Sequence, residues 1–289
     1  MKKFIQMYEE KYIRFPGGKS KALTLSYDDG VQADIRLLEI MNKYGLKGTF
    51  NLNSGLFEHK GNHNRLDEES AFKLYKDCGQ EIALHGDRHI FLDKVPLSEA
   101  MREMLLNRSY LETKYNRTVR GMAYAYGAYN DEIVGMLKAL GVVYARTTES
   151  SYSFRIQNDW LRLKPTCHHR DERFKELAEK FFNESPEKEF KHREGWLFWL
   201  WGHAYEFDDD NNWELIENFA KRASGHKDIW FATNMEIYEY ITAYKNLIFS
   251  LDGERVKNPS AIPVWLEIRG KIYKIDGGKE ICFDTLATE

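Results

Sequence analysis

The chain has 289 residues, long enough to bury a sizeable core as one large domain or as one domain with a small addition. Its 42 Lys and Arg residues against 45 Asp and Glu residues give a formal net charge of −3, so electrostatics provides no case for binding nucleic acid or an anionic membrane. No run of about 18 apolar residues occurs, and the sequence therefore predicts no membrane-spanning helix.

From Ala22 to about Tyr244 the hydrophobic pattern alternates between strands and helices. The predicted strands are Ala22–Ser26, Gly48–Leu52, Glu81–Leu84, Gly121–Ala123, Val142–Ala145, Leu161–Leu163, Trp196–Trp201 and Asp228–Phe231. The predicted helices are Asp34–Tyr44, Asp67–Asp77, Ser98–Tyr115, Asn130–Leu140, Glu172–Phe182, Asn212–Ala223 and Asn234–Tyr244, with Asp67, Ser98, Asn130 and Asn234 as N-caps. Such alternation is typical of an α/β protein with a parallel sheet, and about seven consecutive units favour an incomplete (β/α)7 barrel.

The pattern changes after about residue 250. Alternating strand-like residues are interrupted at Arg269-Gly270 and at Asp276-Gly277-Gly278, and both interruptions indicate hairpin turns. We therefore predict two parts, a barrel in residues 1–248 and a small antiparallel β appendage in residues 249–289.

Two features bear on the cell compartment. The 3 cysteines are odd in number and far apart, which favours a reducing compartment over a disulfide framework. The first residues lack the apolar stretch of a secretion signal, because Glu9, Glu10 and Lys11 interrupt them. We expect a cytoplasmic protein from the chain as given, although a trimmed leader would leave the same sequence.

Four polar clusters follow predicted strands at the point where each strand ends. They are Asp28-Asp29, His85-Gly86-Asp87-Arg88-His89, Tyr126-Gly127-Ala128-Tyr129-Asn130 and Gly202-His203. Parallel α/β folds carry their functional sites at the carboxyl ends of the strands, so we expect all four clusters at one edge of the sheet.

The first two clusters predict a metal site. The spacing of four between His85 and His89 places both imidazoles on one face of a helical turn, and a carboxylate from Asp28 or Asp29 completes a three-ligand set with an open position for water. The other carboxylate would accept the proton of that water. His59 and His63 have the same spacing, but their Gly- and Asn-rich loop indicates solvated surface.

His203 is the candidate proton donor. Metal-assisted hydrolysis of an amide needs an acid for the leaving nitrogen, and histidine suits this role near neutral pH. Glu206, Asp208 or Asp159 could orient the imidazole. Alternatively, His203 could be a buried structural residue that hydrogen-bonds to the backbone and has no role in proton transfer.

At these residues the sequence resembles the polysaccharide deacetylases of carbohydrate esterase family 4, which have the NodB-homology fold. The resemblance covers roughly residues 20–245. Its motifs T-F-D-D-G and H-[ST]-x-x-H correspond to Ser26-Tyr27-Asp28-Asp29-Gly30 and to His85–His89, and the motif with a leucine shortly before a histidine corresponds to Leu200-Trp201-Gly202-His203. The resemblance implies Asp28 as catalytic base, Asp29, His85 and His89 as metal ligands, and His203 as general acid.

The third family motif, R-x-P-Y-G, is only partly present. Ala123-Tyr124-Ala125-Tyr126-Gly127 stands in its place, so Tyr126 is kept, and the resemblance implies that its N–H helps to form the oxyanion hole. The arginine that pairs with the catalytic base in the family is replaced by Ala123. Loss of this positive neighbour predicts a raised pKa for Asp28.

The sequence thus predicts a metal-dependent hydrolase that removes N-acetyl groups from a carbohydrate. The expected cofactor is one divalent ion, with zinc first and cobalt, nickel, iron or manganese as alternatives. Candidate sugar-stacking residues are Tyr27, Trp160, Trp201 and Tyr205, with Trp160 in the family's fourth motif, although each could instead belong to the core. Two other functions stay open: hydrolysis of a small cyclic amide or ureide, and non-catalytic carbohydrate binding.

Overall fold

A computed structural model describes residues 10–61, 63–188 and 193–283. Its strands are β1 Lys11–Arg14, β2 Lys21–Asp28, β3 Gly48–Leu52, β4 Glu81–Leu84, β5 Gly121–Ala123, β6 Tyr144–Arg146, β7 Cys167–His168, β8 Trp196–Gly202, β9 Ile229–Phe231, β10 Ile248–Phe249, β11 Arg255–Lys257, β12 Val264–Ile268, β13 Lys271–Ile275 and β14 Glu280–Cys282. Its helices are α1 Asp34–Tyr44, α2 Glu68–Tyr75, α3 Leu97–Tyr115, α4 Asp131–Ala139, α5 Phe174–Asn183, α6 Glu206–Asp209, α7 Glu214–Ser224 and α8 Asn234–Lys245.

The predicted fold class is confirmed. Seven parallel strands form a curled sheet in the order β6-β5-β4-β3-β2-β8-β7, and β9 pairs with the start of β2. One isolated parallel bridge, between Arg146 and Leu163, links β6 to the segment that precedes β7. This bridge is all that forms of the predicted strand Leu161–Leu163. The result is the incomplete (β/α)7 barrel expected from the alternating pattern.

The central strand β2 has apolar side chains on the face of the sheet that lies under the helices and polar side chains on the opposite face, inside the barrel. Leu23, Leu25 and Tyr27 join the core that lies under the helices. The alternate residues point the other way, because successive side chains of a strand lie on opposite faces. Among these, Ser26 accepts hydrogen bonds from Asn51 and Arg146 inside the sheet. Asp28, at the end of this row, therefore faces the interior.

The helix starts agree only in part with the predicted caps. Asp67 accepts a hydrogen bond from Ser70 N, and Asn130 accepts one from Ile133 N, as predicted. Ser98 is not a cap, because α3 starts after Pro96. Asn234 is also not a cap. The N-cap is Thr233, one residue before it, which forms a capping box with Glu236.

The C-terminal strands form two small antiparallel sheets. One has the order β1-β12-β13 and the other β10-β11-β14. The hairpin at Arg269-Gly270 is present between β12 and β13. The second predicted hairpin is wrong, because the turn at Asp276-Gly277-Gly278 connects strands of different sheets.

The N-terminal strand β1 joins this C-terminal part. It pairs with β12, and the buried Arg14 guanidinium donates to Glu267 of β12 at 2.6 Å. The boundary between residues 248 and 249 stays a prediction. In the described ranges, every helix is too short or too polar to cross a bilayer.

Candidate active site

The structure brings the side chains that follow β2 and β4 into contact. His85 Nε2 lies 3.8 Å from Asp28 Oδ2 and 3.6 Å from Asp29 Oδ1. The ring of Tyr126, after β5, packs edge-on against His89 with centroids 4.4 Å apart. His203, after β8, is near enough for the charges of Asp28 and Asp29 to raise its pKa. Four separate strand ends therefore contribute to one site.

Three atoms of this site have the separations of metal ligands. Asp29 Oδ1 lies 3.6 Å from His85 Nε2 and 3.6 Å from His89 Nε2, and the two nitrogens are 3.2 Å apart. Ligands bound about 2.0–2.2 Å from one tetrahedral ion lie roughly 3.3–3.6 Å apart. The three atoms could therefore hold one such ion.

The protonation state of both histidines suits this role. His85 Nδ1 lies 2.9 Å from the carbonyl oxygen of Ala123, so Nδ1 carries the proton and the lone pair of Nε2 faces Asp29. Burial lowers the pKa of His85, and burial together with the charge of His85 lowers the pKa of His89 to about 4. Both imidazoles are thus neutral at neutral pH and can bind a cation.

Asp29 lies beside Arg65 in the site. Its Oδ1 is buried and has no hydrogen-bond partner among the described residues. Arg65 Nη1 lies 3.0 Å from this oxygen but donates to the backbone oxygen of Asp29 and to Asn53 Oδ1. A buried carboxylate oxygen without a hydrogen bond is costly, and a bound cation would remove that cost.

The backbone of the site is strained at three of its predicted residues. The predicted helical turn from His85 to His89 is wrong, because Gly86 has φ 82° and His89 has φ 57°. Asp29 with φ 91° and Tyr126 with φ 59° are also left-handed. Such conformations cost on the order of 1–3 kcal/mol each and concentrate at functional sites.

Gly86 stands where the family motif has a hydroxyl residue, and the structure explains the difference. A Cβ at this position would lie 3.1 Å from Oε1 of the buried Glu103, which accepts a hydrogen bond from Arg88 N. We predict that Gly86→Ser lowers the free energy of unfolding by about 1–2 kcal/mol and weakens divalent-metal affinity. Denaturant titration and metal titration measure the two effects.

Gly79→Ser is the matched control, since Gly79 has φ 74° and a Cβ added to it would meet no atom within 4 Å. It should lose stability but keep the metal affinity of the wild type. Equal metal affinity in the Gly86→Ser and Gly79→Ser variants would contradict the predicted loss of metal affinity in Gly86→Ser.

Asp28 is bound by an arginine that the motif comparison did not find. Arg146, the last residue of β6, is fully buried, and its Nη2 lies 2.5 Å from both carboxylate oxygens of Asp28. Asn51 Nδ2 donates to Asp28 Oδ1 at 2.8 Å. The guanidinium also lies over the ring of Trp201, 4.3 Å from its centroid.

The predicted rise in the pKa of Asp28 is therefore wrong. Burial alone would raise it, but the charge of Arg146, followed by those of His85 and His203, lowers the pKa of Asp28 to about 2. Ala123 and Arg146 are partners in the register of β5 and β6. The arginine thus reaches the Asp28 carboxylate from the neighbouring strand.

His203 lies next to Glu206. Glu206 Oε2 accepts a hydrogen bond from His203 N at 2.9 Å and lies 3.3 Å from His203 Nδ1. Burial lowers the pKa of His203, but Glu206, Asp28 and Asp29 outweigh burial and raise it. Asp208 and Asp159 have other partners, Trp213 and Arg162.

A second group of potential metal ligands consists of His168, His169 and Glu206. Here, however, the backbone N–H of Arg170 donates to His168 Nδ1 at 3.0 Å, so the neutral imidazole carries its proton on Nε2. That proton points to Glu206 Oε2, 3.1 Å away. This tautomer fits a hydrogen bond to the carboxylate and does not fit a metal ligand.

Two of the predicted sugar-stacking residues belong to the core, which corrects their assignment. Tyr27 is 1% exposed, and its ring stacks on His169. Trp201 is 7% exposed, with Arg146 over its ring and His168 against it. Neither ring offers a free face to a sugar.

Trp160 and Tyr205 are also engaged by other rings. Trp160 packs edge-on against Tyr238 of α8, next to the second hydrophobic cluster and not beside the site residues. Tyr205 lies at the site but stacks on both His203 and His63, with centroids 5.1 Å and 3.6 Å away. His63 is therefore packed onto the site, in contrast to the solvated position predicted for it, whereas His59 is exposed as predicted.

Arg146, His168 and His169 were not predicted as site residues from the sequence, although all three lie at strand ends like the other clusters. Arg146 ends the apolar run Val142–Ala145, and the two histidines follow the buried Cys167. Arg65 had no such signal, because it reaches Asp29 from a loop.

Similarity to known proteins supports the same fold and family. Residues 8–145, a little under half of the chain, match the family model "Polysaccharide deacetylase". No curated protein matches the sequence.

Several solved structures are similar. A Mycobacterium smegmatis protein assigned as a polysaccharide deacetylase has a TM-score of 0.59 and 17% identity, over 83% of this chain and 96% of that chain. The peptidoglycan deacetylase PdaC from Bacillus subtilis has a TM-score of 0.52 and 14% identity, over 78% of this chain and 94% of that chain. The Streptococcus pyogenes deacetylase PplD, in complex with acetate, has 25% identity and a TM-score of 0.43, over 48% of this chain and 61% of that chain.

The first two likenesses show the shared fold, and the family model identifies the half of the barrel that carries Asp28, Asp29, His85, His89 and Tyr126. Residues 8–145 therefore match the polysaccharide deacetylase family, and the barrel has the NodB-like fold.

Proposed function

We propose that this protein is a metal-dependent hydrolase that removes N-acetyl groups from a polysaccharide or oligosaccharide. One observation carries the proposal: a carboxylate ionised by Arg146 lies beside a three-ligand metal set. Across the site, His203 has a raised pKa. This combination supplies a base, a cation site and an acid for the hydrolysis of an amide.

The proposed ligands are Asp29, His85 and His89, and the proposed ion is zinc, since two imidazoles and one carboxylate form one of its catalytic ligand sets. When bound, a divalent ion lowers the pKa of a water molecule and polarises a carbonyl group. Cobalt, nickel, iron and manganese are alternatives that metal analysis of the purified protein separates.

Asp28 is the proposed general base. Its pKa of about 2 keeps it ionised at neutral pH, and Arg146 and Asn51 fix its orientation. It accepts a proton from the attacking water. A carboxylate with so low a pKa is a weak base. Proton transfer to Asp28 therefore requires a water molecule whose own pKa is strongly lowered.

Tyr126 and His203 act on the other atoms of the amide. The N–H of Tyr126 donates to no described residue, which leaves it for the oxygen that becomes negative in the transition state. His203, whose Nδ1 lies 3.3 Å from Glu206 Oε2, gives a proton from Nε2 to the departing nitrogen.

Release of acetate from an N-acetylated oligosaccharide tests the proposal. We expect hydrolysis that stops after chelation and returns with added zinc. Hydrolysis of a cyclic amide or ureide, and not of the sugar, would contradict the substrate class. A protein that binds the oligosaccharide and hydrolyses no amide would contradict catalysis.

The pH dependence tests the role of Glu206. The raised pKa of His203 keeps the acid protonated to higher pH, so kcat/KM falls as pH rises through that pKa. Glu206→Gln removes the negative partner and should move this alkaline limb about one pH unit or more toward lower pH. The exposed Glu214→Gln is the control and should leave the limb in place. An unchanged limb in Glu206→Gln would show that Glu206 does not tune His203.

A further inference from the structure

Two stacks of three rings flank the candidate active site, and each begins at a site histidine. In one stack Tyr126 packs against His89 with centroids 4.4 Å apart, and Phe91 lies parallel to Tyr126 at 3.9 Å with an interplanar angle of 6°. In the other stack, Tyr205 packs on His203 and His63 on Tyr205. The two stacks differ in the solvent exposure of their rings.

The stack of Tyr126 and Phe91 is exposed. Tyr126 is 54% exposed and Phe91 is 44% exposed, whereas Tyr205 lies between His203 and His63. Phe91 is the outer ring of its stack, two residues after the proposed ligand His89. An apolar surface thus starts at the metal site and ends in solvent.

The size of this surface limits what can occupy it. Two half-exposed aromatic side chains present on the order of 100 Å² each. A stable protein–protein interface needs about 800 Å² on each partner, several times more. A single sugar ring has a matching size, and its axial C–H bonds form an apolar face that can lie on an aromatic ring.

We propose that Phe91, supported by Tyr126, binds the sugar ring next to the one that carries the reacting acetamide. The inference rests on the proposed deacetylase function and goes further, because it makes Phe91 a specificity-determining residue. Tyr126 and Phe91 lie in sequence outward from His89, so a sugar ring that extends away from the proposed metal ligands meets Phe91. The protein then selects oligosaccharides over N-acetylated monosaccharides.

Substrate length provides the kinetic test. Phe91→Ala should lower the ratio of kcat/KM for an N-acetylated tetrasaccharide to kcat/KM for the N-acetylated monosaccharide about tenfold. The loss should lie in KM, with kcat and bound metal retained, and Phe91→Trp should restore the ratio. Phe249→Ala, which removes a partly exposed phenylalanine of β10, is the matched control.

An unchanged ratio in Phe91→Ala, or a loss in kcat with loss of metal, would overturn the inference. Titration calorimetry with the tetrasaccharide separates it from the proposed function. If the wild type binds the tetrasaccharide through Phe91 but releases no acetate, the proposed function fails and the binding surface stands. If the wild type releases acetate and Phe91→Ala binds equally well, the surface fails and the function stands.

Discussion

Asp28→Asn is expected to abolish hydrolysis while the metal stays bound. The amide keeps the shape of the carboxylate but cannot accept the proton, and loss of a general base typically costs roughly 10²–10⁴-fold in rate. Asp28 is not a proposed ligand, since its oxygens are engaged by Arg146 and Asn51. His89→Ala should instead remove metal and activity together, because only Asp29 and His85 would remain.

Metal content per protein molecule and acetate release, measured on the same samples, check both outcomes. His59→Ala is the matched control, since His59 is an exposed histidine that belongs to neither ligand group. It should retain both properties. If Asp28→Asn and His89→Ala retained equal amounts of metal, the assignment of the ligands would be wrong.

Arg146→Met is expected to reduce activity by about 10²-fold or more and to lower stability by about 3–5 kcal/mol. Without the guanidinium, burial dominates and the pKa of Asp28 rises. The acid limb of the pH–rate profile should then move to higher pH, because Asp28 must be ionised to act. Arg146→Lys keeps the charge but loses the hydrogen bond from Nε to Ser26 and the planar group over Trp201, and should fall between the wild type and Arg146→Met.

Arg162→Met also removes a positive charge, but one that pairs with Asp131 and Asp159, so it is the control and should keep the activity and acid limb of the wild type. A sharper test transfers the arginine to the position that the family motif predicts. Because Ala123 and Arg146 are register partners, Ala123→Arg combined with Arg146→Ala should recover part of the activity lost in Arg146→Ala alone. If both variants fold and the double variant is no more active than Arg146→Ala, an arginine at position 123 cannot replace Arg146, and the proposed equivalence of the two positions is wrong.

The barrel, and the placement of the main candidate residues at one edge of it, could be predicted from the sequence. Strand ends in a parallel sheet meet at one edge, so Asp28, His85, Tyr126 and His203 could be grouped without knowing any contact. The same rule locates Arg146 after Val142–Ala145. The motif comparison obscured it, because a long side chain can reach Asp28 from either of two neighbouring strands and the motif names only one of them.

The stacking residues were harder to predict, because exposure depends on packing between distant segments. Strand alternation does predict that Tyr27 faces away from its neighbour Asp28. Nothing in the local sequence indicates that Arg146 lies over Trp201 or that Trp160 packs on Tyr238. The pairing of β1 with β12 is equally non-local, since residues about 250 positions apart form it.

The most direct test of the central claim is anomalous diffraction at the zinc absorption edge, with crystals of the zinc-loaded protein. We expect one strong peak about 2.0–2.2 Å from Asp29 Oδ1, His85 Nε2 and His89 Nε2. A peak among His168, His169 and Glu206, with none at Asp29, would contradict it.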